Sequence, residues 1–150
     1  MREELKQRLL KHISFLEAEL KDFPEFKSLT KDEYIKERNK RRNVERWIEN
    51  IINSSIDISK LLLTLEGISL PDNYKDIVLS ISHVKDLNFD KAETISRWVK
   101  FRNIVAHEYL DIRWLSIKKF ITEAEPVYND FLNKIKNYLE KKITENKGKL

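Results

Sequence analysis

Apolar residues recur at spacings of three and four along most of this chain, in long stretches separated by short segments that contain helix-ending residues. Such spacing places the apolar side chains on one face of an α-helix. Residues 2–21 follow the pattern with Leu5, Leu9, Ile13, Leu16 and Leu20. We therefore expect an amphipathic helix over residues 2–21, followed by a connector that reaches Leu29.

A second and longer helix is predicted to begin at Thr30, because Thr30-Lys31-Asp32-Glu33 has the form of a capping box. No glycine or proline follows until Gly67, which predicts one helix of roughly 35 residues, about 50 Å long. Its first third, from Lys36 to Arg42, is strongly basic. This segment is either a solvated helix face or a surface that follows the phosphates of a nucleic acid. Arg46 is the first candidate for a contact that reaches a functional site.

Three further helices are predicted over the second half of the chain. One covers residues 73–87, one begins at a second capping box over 90–93, and one follows a break near residues 110–111. Pro126 interrupts the last helix, so we expect a kink or two helices there, and we expect the tail from Lys141 to fray. The chain shows no strand pattern. The predicted fold is all-α: a single domain over residues 1–150, built as an antiparallel four- to five-helix bundle with up-and-down connections.

Composition narrows the classes of protein that fit this pattern. Two glycines, three prolines and 36% charged residues are typical of a helical protein. The absence of cysteine excludes disulfides and thiolate chemistry. With no membrane-length apolar run and no signal peptide, we expect a cytoplasmic protein without a membrane partner. The net charge of +4 permits a polyanionic partner. We expect no cofactor and no metal site, because the sequence has neither a glycine-rich phosphate loop nor a His-Glu-x-x-His motif.

The candidate chemistry lies in the stretch from Phe101 to Tyr109, which reads Phe-Arg-Asn-x-x-x-His-x-Tyr. Arg102 can bind a phosphate through its fork of donors, and His107 can move a proton near neutral pH. Together they suffice for RNA cleavage without a metal, in which the ribose 2′-hydroxyl attacks the neighbouring phosphate. Asn103 lies one helical turn before His107 and can orient it or contact the ribose.

The spacing of this arginine and histidine raises a geometric problem. On a straight α-helix Arg102 and His107 point about 140° apart. They converge only if the helix loosens near His107 or if a second chain supplies one of them. Arg102 also falls on the line of Ile95, Val99 and Ala106, which is the predicted core-facing line. We therefore expect Arg102 to be paired or to face a cleft.

These residues resemble the signature of the HEPN-domain toxins of the HepT-like family. A looser likeness covers residues 44–58, which are similar to the second helix of that family. The resemblance implies a helical bundle that forms a two-fold homodimer and acts as a metal-independent endoribonuclease, the toxin of a toxin–antitoxin pair. It implies an RNA substrate such as tRNA, with Arg102 and His107 as catalytic residues. It also implies that a cognate minimal nucleotidyltransferase inhibits the toxin by adenylylating Tyr109.

Two other functions fit the same residues. One is a non-catalytic HEPN module that binds a nucleotide or docks a nucleotidyltransferase, with Arg102 and His107 binding phosphate but cutting nothing. The other is a structural homodimer whose polar cleft is incidental. An isolated Arg-x4-His pattern arises by chance in many chains, and a histidine at a helix end often only caps carbonyls. Tyr109 could equally pack its ring at the edge of the bundle.

Overall fold

A computed structural model describes residues 2–105 and 109–148 of the chain, with side chains described up to residue 145. Within these ranges every regular element is helical, which confirms the predicted all-α bundle. Two 3₁₀ helices, Ile81–His83 and Val99–Asn103, accompany the α-helices. The α-helices are α1 (Arg2–Leu20), α2 (Phe23–Lys27), α3 (Lys31–Lys36), α4 (Arg38–Leu65), α5 (Tyr74–Ser80), α6 (Ala92–Trp98) and α7 (Leu110–Gly148). In the described part of the chain, no helix is long and apolar enough to cross a membrane.

The connector expected between the first two helices contains the short helix α2. Its aromatic side chains Phe23 and Phe26 are buried, with ring centroids 4.7 and 4.3 Å from that of Trp47 in α4. The indole nitrogen of Trp47 donates to the carbonyl of Glu19 in α1 over 2.7 Å. These contacts join α1, α2 and α4 in one core. A helix of five residues is too short for its periodicity to be visible in the sequence.

The prediction of one helix from residue 31 to Gly67 is wrong at Glu37. That residue is extended, with φ −106° and ψ 97°, and it separates α3 from α4. The guanidinium of Arg41 donates to the carbonyls of Tyr34 and Ile35 at 3.2 and 2.9 Å, which stabilises the freed end of α3. The capping box at Thr30 is confirmed by both of its hydrogen bonds with Glu33.

The end of α4 follows the prediction from Gly67. This glycine has φ +68°, the left-handed conformation that side chains disfavour. The N–H of Gly67 donates to the carbonyl of Thr64, and the N–H of Ile68 donates to that of Leu63 over 2.9 Å. These bonds satisfy carbonyls at the helix end that would otherwise lack a donor.

The next two helices are shorter than predicted. The helix expected over 73–87 ends as α5 at Ser80, and Asp86 and Asn88 adopt left-handed φ angles of 72° and 57° that no helix continues through. The capping box expected at residues 90–93 does not form, because α6 has Lys91 at its N-cap without a side-chain hydrogen bond. The α-helix then ends at Trp98, so the chain leaves α-helical geometry before it reaches the candidate motif.

The last helix, α7, is one continuous element through Pro126 and extends to Gly148. The alternative of two helices at Pro126 is therefore wrong, and fraying of the tail from Lys141 stays a prediction. Pro126 is exposed, so water can bond to the carbonyl that its missing N–H leaves free. The predicted apolar repeat of this helix is buried, at Ile117, Ile121, Ala124, Tyr128, Phe131, Ile135 and Tyr138.

Candidate functional site

The candidate motif begins on the 3₁₀ helix Val99–Asn103, and the winding of this helix decides which side chains are exposed. Phe101 and Ile104 are three residues apart and both are buried. A 3₁₀ helix has three residues per turn, so this pair shares the face that packs on the core. Arg102 and Asn103 fall on the other faces and are exposed. The prediction that Arg102 lies on the core-facing line is wrong, because that line assumed α-helical geometry.

Arg102 rests on an aromatic ring. Its guanidinium carbon lies 4.3 Å from the ring centroid of Tyr74, the first residue of α5. The ammonium of Lys60 in α4 lies 4.9 Å from the same centroid. Both contacts are cation–π interactions, which fix the cations without neutralising them. Among the described residues, no carboxylate lies within ion-pair distance of Arg102.

The tyrosine of the motif is at the surface. The side chain of Tyr109 is 81% exposed and immediately precedes α7. Its carbonyl accepts a hydrogen bond of 2.9 Å from the N–H of Arg113, which ties it to the first turn of that helix. The predicted catalytic residue His107 lies outside the described residues, together with Ala106 and Glu108. Of the arginine, histidine and tyrosine of the motif, the structure thus gives the positions of Arg102 and Tyr109.

Arg46 lies near the motif segment, and Glu49 connects the two. Arg46 is exposed on α4, one helical turn before Glu49. Burial raises the pKa of the Glu49 carboxyl, while the charge of Arg46 and the nearby backbone of Ile104 act in the opposite direction. The carboxylate is therefore close both to Arg46 and to the residue two places after Arg102. Sequence analysis did not single out Glu49, because its partner Ile104 is 55 residues away in the chain.

The family model described as "Ribonuclease HepT-like" matches residues 16–135, which include every candidate residue named so far. The chain belongs to the HepT-like ribonuclease family. A curated relative, endo-1,4-beta-xylanase A of Caldicellulosiruptor saccharolyticus, is 30% identical over 73 residues, which are 49% of this chain. Those residues span only 21% of that protein's own length, so this likeness does not assign the relative's activity to the HepT-like chain.

A buried ionic cluster lies below the motif of this HepT-like protein. The carboxylate of Glu45, on α4, accepts a hydrogen bond from the hydroxyl of Tyr34 and forms an ion pair with Arg113, whose Nη1 lies 3.1 Å from Glu45 Oε2. Burial and the neighbouring carboxylate raise the pKa of Tyr34 above its usual range. Since the backbone N–H of Arg113 donates to the carbonyl of Tyr109, the cluster connects α3 and α4 to the end of the motif. In the sequence, the signal for this cluster is Glu45, a glutamate directly after Val44 of the apolar stripe.

The remaining acidic and histidine residues show no metal-binding arrangement. Over residues 2–105 and 109–148, no three His, Cys, Asp or Glu side chains lie close enough together to hold a metal ion. This finding does not extend to His107 and Glu108. The described part of the site presents the cations of Arg102, Arg46 and Lys60, the amide of Asn103 and the phenol of Tyr109.

Proposed function

We propose that this HepT-like ribonuclease is a metal-independent endoribonuclease, the toxin of a toxin–antitoxin pair, and that it cuts RNA such as tRNA. The observation that carries the proposal is the exposed guanidinium of the motif residue Arg102, which packs on the ring of Tyr74. A cation that is positioned but not neutralised is available to bind a phosphate. The family match to ribonucleases fits this use of the site.

In the proposed reaction, the ribose 2′-hydroxyl attacks the adjacent phosphorus, and the bond from phosphorus to the 5′-oxygen breaks. His107 takes the proton of the hydroxyl as general base or gives a proton to the leaving 5′-oxygen as general acid. Arg102 binds the scissile phosphate and the charge that develops on it. Asn103 orients His107 or contacts the ribose. The products are a 2′,3′-cyclic phosphate and a free 5′-hydroxyl.

We also propose that the active form is a two-fold homodimer. Val105, Ile112 and Leu115 are 53%, 48% and 68% exposed and flank Tyr109 in the chain. Ile112 and Leu115 are three residues apart on α7 and share a face, and an exposed apolar face favours an interaction surface. A second copy is the occupant we infer, because a two-fold axis next to the motif would bring two histidines to one cleft. One chain would then supply the general acid and the other the general base.

The exposure of Tyr109 supports control by covalent modification. In the proposed step, its phenol oxygen bonds to the α-phosphorus of a nucleoside triphosphate, pyrophosphate leaves, and the phenol loses its proton. A cognate minimal nucleotidyltransferase would carry out this adenylylation. The added phosphate places negative charge in a motif whose function depends on the cation Arg102. Adenylylation would therefore inhibit the nuclease.

The test uses purified protein whose intact mass shows no adenylate, incubated with total tRNA in the presence of EDTA. We expect cleavage that leaves 2′,3′-cyclic phosphate ends and that Arg102→Ala and His107→Ala each abolish. The matched controls are Arg97→Ala and His83→Ala, which remove an exposed arginine and an exposed histidine outside the motif; both should cut normally.

Two results would overturn the proposal of a nuclease that uses this motif. Cleavage that persists in Arg102→Ala would show that the reaction does not use the motif. Absence of cleavage by the unmodified wild type, with nucleotide binding that depends on Arg102, would instead support the non-catalytic HEPN module.

A further inference from the structure

We propose that the RNA strand leading to the motif lies along one exposed face of α4, where Arg38, Arg42 and Arg46 bind its phosphates. This inference rests on the proposed nuclease function and extends it to a substrate-binding surface, here called the arginine ladder. The three residues follow each other at intervals of four and all are exposed. At 1.5 Å per residue the ladder is about 12 Å long and lies on one side of the helix.

The ladder differs from the other basic residues of the same segment, which already have partners. Lys36 pairs with an aspartate one turn earlier, at 4.0 Å. Lys40 pairs with Glu33 and Glu37 across the break between α3 and α4. Arg41 donates to two carbonyls at the end of α3. The basic run therefore divides into residues that hold the helix junction together and residues that are available to a ligand.

The ladder residues have fewer neutralising contacts. Among the described residues, no carboxylate lies within ion-pair distance of Arg38, Arg42 or Arg46. Arg46 lies one turn before Glu49 and its charge lowers the pKa of that carboxyl, against the larger effect of burial, but the two side chains do not form an ion pair. A row of unpaired guanidinium groups suits a polyanion with regularly repeated charges, which is the chemistry of a sugar-phosphate strand.

The ladder leads to the proposed scissile phosphate. Its last residue, Arg46, lies one turn before Glu49, a carboxyl whose pKa is lowered both by the charge of Arg46 and by the backbone of Ile104, two residues after Arg102, and α4 packs directly against the 3₁₀ helix that carries Arg102. Lys60 lies further along α4, 14 residues after Arg46. Its ammonium contacts the same Tyr74 ring as the guanidinium of Arg102. A strand bound at Arg102 is thus flanked by cations of α4. This continuity with the motif favours RNA over an acidic protein as the ligand.

The test measures binding of single-stranded RNA with 2′-O-methyl riboses, which has no hydroxyl to attack and cannot be cleaved. Each phosphate contact to a single strand contributes about −0.7 to the slope of log affinity against log salt. We expect Arg38→Gln and Arg42→Gln each to make the slope shallower by about 0.7 and to weaken binding several-fold at low salt. The matched controls, Lys36→Gln and Lys40→Gln, remove the same charge from paired positions and should leave the slope unchanged.

A second measurement separates the ladder from the reaction itself. A dinucleotide has one internucleotide phosphate, which Arg102 would bind, so none is left for the ladder. Arg38→Gln and Arg42→Gln should therefore cleave it at the wild-type rate while they cleave long RNA more slowly. Normal cleavage of long RNA by these variants, with an unchanged salt slope, would overturn the ladder but leave the nuclease proposal standing. Equal losses in the lysine controls would also overturn it, because net charge alone would then explain binding. A wild type that neither binds nor cleaves RNA would reject both proposals.

Discussion

The buried carboxylate of Glu45 allows the packing below the motif to be tested without any assumption about function. Glu45→Gln removes the negative charge of the Tyr34–Glu45–Arg113 cluster and keeps the size of the side chain. The side chains of Glu45 and Arg113 are only 6% and 11% exposed, so the guanidinium would remain in the interior without its anion. Breaking a buried ion pair on one side costs about 3–5 kcal/mol. Since glutamine keeps one oxygen acceptor, we expect a loss of about 3 kcal/mol.

The assay is urea unfolding followed by circular dichroism, with a thermal scan beside it. For a chain of this length, about 3 kcal/mol corresponds to a fall in Tm of about 6–12 °C. The slope of unfolding free energy against urea should not change, since the wild type and Glu45→Gln expose the same surface when they unfold. Arg113→Met, which strands the carboxylate instead, should be destabilised to a similar extent.

The double variant Glu45→Gln/Arg113→Met isolates the interaction, because it removes both charges. We expect it to be more stable than the sum of the single losses predicts, by about 2 kcal/mol, within the range found for residues in direct contact. Single losses below about 0.5 kcal/mol would place the cluster among ordinary surface contacts. Strict additivity in the double variant would show that Glu45 and Arg113 do not interact. Either result would refute the reasoning.

Three further predictions concern the motif and its surroundings. Tyr74→Leu removes the ring under Arg102 and should lower kcat/KM for RNA cleavage about two- to fivefold, because an exposed cation–π contact contributes about 0.5–1 kcal/mol. Tyr74→Phe keeps the ring and should keep the rate. Equal losses in the two variants would contradict the contact. Burial raises the pKa of Glu49 in the folded state above its unfolded value, so wild-type stability falls as the pH rises through these two pKa values. In urea unfolding, Glu49→Gln should therefore be more stable than the wild type at neutral pH and no more stable near pH 4. A gain that does not vary with pH would contradict this. Leu115→Glu should convert the proposed dimer to a monomer in light scattering without loss of helix content, and an intact dimer would exclude this surface as the interface.

The long amphipathic helices were predictable from the sequence alone. The apolar stripes of α1 and α7 repeat over enough turns for the period of 3.6 residues to be unmistakable, and both stripes are buried. The end of α4 was equally clear, because Gly67 supplies a conformation that other residues disfavour. These features depend on local rules that act within one helix. Their agreement with the structure explains why the fold class could be inferred correctly.

The break at Glu37 and the 3₁₀ winding of the motif depend on contacts that local rules do not contain. No glycine or proline marks Glu37, and the break is stabilised by Arg41, which reaches back six and seven residues to carbonyls of α3. The winding after Trp98 brings Phe101 against Phe120 of α7, with ring centroids 6.0 Å apart. The sequence pattern singled out Arg102 as a candidate but placed it on the core-facing side, because the spacing was interpreted as α-helical throughout.

In the proposed binding mode, helix α4 uses different faces for stability and for binding RNA. Its apolar stripe and Glu45 face the interior, whereas Arg38, Arg42 and Arg46 face outward. Substitutions on the outer face should therefore change RNA affinity with little change in unfolding free energy, and substitutions at Glu45 should do the reverse. This division also explains how the chain can keep a cluster of cations at its surface: their mutual repulsion is spread over about 12 Å of a helix that buried contacts already hold in place. The binding face therefore need not contribute to the stability of the fold that presents it.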